Sequence, residues 1–99
     1  MKQFKVSVGL ATYTVKFRKN VIIKGIICDG LCDAKKKIIW IQRRDPGDHD
    51  VMVGTLWHEM AHAIFFEMGH PDMATNESFI QEIGSNIARI CRGLPEGLK

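Results

Sequence analysis

From Val51 to Met68 the chain runs without a proline, and apolar residues return at helical spacing: Val53, Leu56, Trp57, Met60, Ala61, Ile64, Phe65 and Met68. A strand cannot carry that period over that length, so the segment is a helix and the rest of a 99-residue chain must be built around it. Gly69 follows where a left-handed terminator belongs. Asp48 or Asp50 stands where a carboxylate accepts the first free backbone N–H groups. Gly54 costs stability inside a helix relative to Ala, which predicts close packing against a sheet as its reason.

The residues before this helix read as strands. Phe4 to Val8 alternates, and Tyr13 to Phe17 places Tyr13, Val15 and Phe17 on one face and Thr14, Lys16 and Arg18 on the other. Gly9 to Ala11 is the turn between them. Val21 to Cys28 is apolar and β-branched, interrupted at Lys24-Gly25, and reads as a short strand or a bulge. Asp29-Gly30 signals a turn, Lys35 to Arg43 a strand, and Asp45-Pro46-Gly47-Asp48 a loop that closes the strand section. After the long helix, His70 to Ala74 is a connector. Thr75 or Asn76 then caps a second helix whose apolar stripe is Ile80, Ile83, Ile87, Ile90, Cys91 and Leu94, stopped by Gly93 and Pro95. Strands followed by two helices make an α+β domain: a small, mostly antiparallel sheet with helices packed on it.

Composition sets the class. The length suits one domain spanning residues 1–99, and an apolar fraction of 45% with 25% charged residues is that of a globular chain. No apolar run reaches membrane-span length, and the first residues lack a secretory h-region, so the expected setting is the cytoplasm. A net charge of +3 arises from short clusters (Lys16, Arg18 and Lys19; Lys35 to Lys37; Arg43 and Arg44), which reads as solvated turns and strand edges rather than a nucleic-acid stripe. Three cysteines cannot build a disulfide framework; reduced thiols are expected, with Cys91 in the core and Cys28 and Cys32 as accessory metal ligands at most.

The chemistry sits in the long helix, at His58-Glu59-Met60-Ala61-His62. Residues four apart share a helix face, so both imidazoles reach one ion, while Glu59 lies about 100° away and addresses a water without being a ligand. Two neutral imidazoles and one carboxylate suit Zn²⁺ and leave a position open. The third ligand must come from elsewhere. A Gly three residues and a His six residues after His62 would mark the metzincin arrangement, but Phe65 and Met68 stand there. Glu67, His70, Asp72, Glu77 and Glu82 are the candidates. With Ile80 as zero, the apolar stripe of the second helix centres near about 340°, Glu77 falls at about 60° on its border, and Glu82 falls at about 200° on the solvent side. Glu77 is therefore the expected third ligand, with His70, Asp72 and Glu82 as the alternatives.

The runs GTLWHEMAHAIFFEMG and NESFIQEIGSNIARI resemble the gluzincin metallopeptidases, in particular the small metallopeptidases of phages and prophages, and more distantly the ImmA/IrrE type that cleaves repressor proteins. The resemblance covers the chain from about Tyr13 onward. It implies a minimal zincin-like fold, His58, His62 and Glu77 as zinc ligands, and Glu59 as general base in the hydrolysis of a protein or peptide substrate. Glu77 follows His62 more closely than in the large thermolysin-like enzymes. The expected mechanism is metal-assisted amide hydrolysis, Glu59 taking the water proton and passing it to the leaving amine. Ile38 to Ile41 is the candidate edge strand for aligning substrate, with an interior strand the alternative, and Tyr13 or His70 the only nameable oxyanion donors. Two classes compete: a catalytically silent zincin-like module that binds a phage or host protein, and a nucleic-acid partner using the Lys35 to Lys37 and Arg43-Arg44 clusters, which salt-sensitive binding would discriminate.

Overall fold

Alternation in the first half of the chain produces three hairpins. The computed structural model describes residues 2–44 and 46–99. β1 (Phe4–Val8) pairs antiparallel with β2 (Ala11–Arg18), from Phe4 opposite Val15 to Val8 opposite Ala11. The apolar stretch expected as one strand or a bulge is a hairpin, β3 (Val21–Ile23) against β4 (Ile26–Cys28). Lys24 and Gly25 are its turn, at φ of +50° and +81°, the left-handed pair that matches the twist of a two-residue connection. β5 (Gly30–Asp33) and β6 (Ile38–Gln42) form the third, so Gly30 begins a strand instead of a turn. The strand expected over Lys35–Arg43 is shorter at both ends. Lys35, Lys36 and Lys37 turn the chain, and Asp33 Oδ1 accepts the Lys36 N–H at 3.0 Å. On the turn Lys35 and Lys36 keep their charges in water, while half-buried Lys37 pairs with Glu67.

The four-stranded sheet has the order β1-β2-β6-β5, with β2 and β6 parallel (Val15 opposite Ile39, Phe17 opposite Ile41) and the other pairs antiparallel. β6 is therefore interior. This corrects the expectation that Ile38–Ile41 is an open edge: it is paired on both sides, and Ile39 and Ile41 are buried. The edge beside the helices is β5.

One sheet face carries Val8, Tyr13, Val15, Ile39 and Ile41 and packs on α1 (His49–Glu67) through Met52, Leu56, Met60, Ala63 and Ile64. A short 3₁₀ turn, Pro46–Asp48, precedes the helix; Asp45 of the expected loop lies outside the described residues. Asp48 occupies the N-cap position, yet its side chain makes no capping bond. The far end closes as expected at Gly69, φ +78°, whose N–H bonds to the Phe66 carbonyl at 3.1 Å while that of His70 bonds to Phe65 at 2.9 Å.

The connector holds a short helix, α2 (Pro71–Ala74), and α3 (Glu77–Gly93) follows, capped by Asn76 Oδ1 accepting the Phe79 N–H at 3.1 Å. α3 packs on the side of α1 away from the sheet, with Ile80, Gly84 and Ala88 buried and Phe79 edge-on to Phe65 at 5.2 Å. α1 is thus covered on two sides, which is why its apolar residues spread around the cylinder. Gly54 is not where the packing is close. A Cβ there would meet nothing within 4 Å, whereas one on Gly84 would lie 2.9 Å from the His58 Cα, and one on Gly30 would lie 2.8 Å from Thr55 Cγ2. Among the described residues no helix is long and apolar enough to cross a membrane.

Candidate metal centre

The two imidazoles of α1 meet the first turn of α3. His58 Nε2 lies 3.1 Å from Glu77 Oε2, and His62 Nε2 lies 3.1 Å from Glu77 Oε1. One donor atom from each of the three residues falls within 4.8 Å of the other two. The local causes are readable. Spacing of four residues stacks the rings along one face of α1, with centroids 5.0 Å apart. The absent side chain of Gly84 lets α3 come against the His58 backbone, which brings Glu77, two turns earlier on the same helix, over the rings.

The other ring nitrogens are also held. His58 Nδ1 is 2.8 Å from Gln81 Oε1, and the Gln81 amide donates onward to Ser85 Oγ at 3.1 Å. His62 Nδ1 is 2.5 Å from the Ala74 carbonyl oxygen. Both acceptors select the tautomer with hydrogen on Nδ1, leaving each Nε2 lone pair aimed at the cluster. Two neutral imidazoles and one carboxylate converging in this way form a donor set of the kind that borderline-soft divalent ions take, Zn²⁺ among them.

Glu59 sits beside the cluster at 7% exposure, its stem pressed against Gly30 of β5. Burial pushes its carboxyl up to about 7, opposed by His58, reinforced by Glu77, and opposed again by a hydrogen bond from the Cys32 backbone N–H. An open cleft crosses the site. One lobe is lined by Asp29, Thr55, Gln81 and Ser85, the other by Ile23, Leu31, Phe66 and Ala74, and they meet at Gly30, His58 and Glu59.

The remaining candidates fall elsewhere. Glu67 accepts the Tyr13 hydroxyl at 2.7 Å and Lys37 Nζ at 2.6 Å, and Lys37, then Tyr13, hold its carboxyl below the usual range. Tyr13 is consequently a core residue with its hydroxyl engaged, which corrects its reading as an oxyanion donor; burial, then Glu67, push its pKa well up. His70 stands at the N-cap of α2, Asp72 in the first turn of α2 and Glu82 on α3, all exposed; among the described residues none of them joins the cluster. Cys28 and Cys32 line the cleft outside the cluster, and burial, then Glu59, push the Cys32 thiol up to about 12. Cys91 is only partly buried, in a groove between α1 and α3.

Sequence reasoning missed Gln81, the Ala74 carbonyl and the glycine contacts. Gln81 was within reach, because it follows Glu77 by one helical turn and shares its face. A backbone carbonyl leaves no trace in side-chain identity. No family model, curated protein or solved structure matches this chain.

Proposed function

We propose that the chain is a zinc-dependent metallopeptidase acting on a protein or peptide substrate. The observation that carries the reading is the convergence of His58, His62 and Glu77 with their donor atoms within 4.8 Å, beside a buried Glu59 in an open cleft. A structural zinc site has no use for an adjacent carboxylate facing a cleft, whereas hydrolysis requires a base there.

His58 and His62 would hold the ion through Nε2, with Glu77 closing the set from α3. When bound, zinc supplies Lewis-acid polarisation of the scissile carbonyl and acidifies water. Glu59 takes the proton of the attacking water and delivers it to the leaving amine, and its burial keeps it from being solvated as an ordinary surface carboxylate. Gln81 and the Ala74 carbonyl fix the imidazole orientations. β5 borders the cleft as the free edge of the sheet, so an extended substrate segment aligns on it by backbone pairing.

Two measurements test this together. Elemental analysis of protein purified without added metal should give one zinc per chain in the wild type and in Glu59→Gln, loss in His58→Ala, and weakening in Glu77→Ala. Mass-spectrometric profiling of a peptide library should show cleavage by the wild type and none by zinc-loaded Glu59→Gln. Equal or absent zinc in all four proteins would refute the metal site. Zinc retained with no cleavage of any peptide would leave a silent binding module.

A further inference from the structure

The overall charge of +3 conceals a division of the molecule. Eleven of the fourteen Lys and Arg residues, but only two of the eleven Asp and Glu, precede residue 45, so the strand half carries +9 and the helical half −6. The four-stranded sheet has one face buried by α1, and α3 lies on α1, so both long helices occupy the same side. The opposite face presents Lys5 from β1, Lys16 and Arg18 from β2, and Trp40 from β6. The strands of this sheet contain a single acid, Asp33, at the far end of β5, where it is bonded to the Lys36 N–H.

Trp40 lies beside two of the cations. Lys16 Nζ is 5.5 Å and the Arg18 guanidinium 4.8 Å from its ring centroid, and a shallow depression beside it is lined by Lys2, Gln3, Phe17 and Arg43 as well. Lys16 and Arg18 stand about 6.6 Å apart along the strand, a spacing comparable to that of successive phosphates on a stretched single strand.

We propose that this sheet face binds single-stranded nucleic acid, with Lys16, Arg18 and the flanking cations on the phosphates and Trp40 stacking a base. Charge complementarity selects a polyanion, and the flat aromatic beside a guanidinium selects one with planar rings to stack, which an acidic peptide does not offer. The negative helical half confines the strand to this side. The mild net charge had pointed away from nucleic acid because it averaged two halves of opposite sign.

The test is fluorescence anisotropy of a short labelled oligodeoxynucleotide with the full chain, across a salt series. Neutralising four phosphates would weaken binding about 50-fold between 50 and 200 mM salt. Lys16→Ala/Arg18→Ala removes two contacts, so it should lower affinity about 25-fold at 0.1 M salt and flatten the log–log slope by about 1.4. Trp40→Leu should weaken binding about 5- to 150-fold, with Trp40→Phe restoring most of it. Lys35→Ala/Lys36→Ala removes the same charge from a turn and should have the smaller effect, and Glu77→Ala should have none. The proposal is overturned by absence of binding, by a Lys16→Ala/Arg18→Ala protein that binds as the wild type does, or by equal loss in the Lys35→Ala/Lys36→Ala control. It is equally overturned if poly-glutamate or phosphatidylserine vesicles compete as well as the oligonucleotide at equal charge.

Discussion

Gly54 and Gly84 are both helical glycines near the candidate metal centre, and replacing each with Ala should move stability in opposite directions. On Gly84 the new methyl would sit 2.9 Å from the Cα of His58, 3.0 Å from its nitrogen and 3.1 Å from the Trp57 carbonyl oxygen. Carbon atoms pack best at about 3.5–4.0 Å, so α3 must retreat from α1 by roughly 0.6–1 Å. The crowded atoms are backbone, and no side chain can swing aside. Overpacking of this kind costs about 1–3 kcal/mol, against a gain of about 0.5–1 kcal/mol from replacing Gly by Ala in a helix. On Gly54 nothing lies within 4 Å, so only the gain remains. The two variants therefore differ by about 1–3 kcal/mol, a term free of helix propensity. Urea denaturation in the presence of chelator measures it. The same retreat carries Glu77 away from the imidazoles, and metal sites tolerate ligand displacements of only about 0.2 Å, so chelator competition should show weakened zinc binding in Gly84→Ala and unchanged binding in Gly54→Ala. A Gly84→Ala protein as stable as Gly54→Ala, with wild-type zinc affinity, would refute the close approach as the device that sets the site.

Gln81→Ala frees the His58 ring and should weaken zinc binding by about 10- to 100-fold in the same competition assay; unchanged affinity would mean that the ring is held by packing alone. Lys37 and Tyr13 hold the Glu67 carboxyl below its usual range, so the stability it contributes is present above the unfolded-state value of about 4.3 and disappears as pH falls through the lower folded-state value. Denaturation of Glu67→Gln across pH should accordingly show a flatter acid limb than the wild type, and parallel curves would contradict this. With its pKa near 12, Cys32 is a thiol at neutral pH, so mass spectrometry should find it alkylated by iodoacetamide far more slowly than free cysteine; equal rates would place it in a polar surrounding.

The α+β order was legible because periods of two and of 3.6 residues change over cleanly at residue 48, and Glu77 was singled out because angle on a helix is a local property. What sequence could not convey was long-range. Whether Ile38–Ile41 is edge or interior depends on β2 pairing with it in parallel across the whole of β3 to β5. The engagement of Tyr13 by Glu67 joins residues 54 positions apart, and no spacing rule reports that. Gly84 and Gly54 look alike in sequence, since each interrupts an apolar helix; only the position of α3 decides which of them faces a neighbour.

The Ala74 carbonyl that steadies His62 belongs to the connector between the two long helices. Surface connections ordinarily absorb insertions and deletions at little thermodynamic expense. Here the length between His70 and Asn76 is tied to ligand orientation, because one added residue would rotate α2 and offer His62 a different backbone group. Diversification of such a scaffold would then have to proceed at the hairpin tips, around Leu10 and Lys24-Gly25, leaving the segment from Val51 to Ser85 as a block of fixed length.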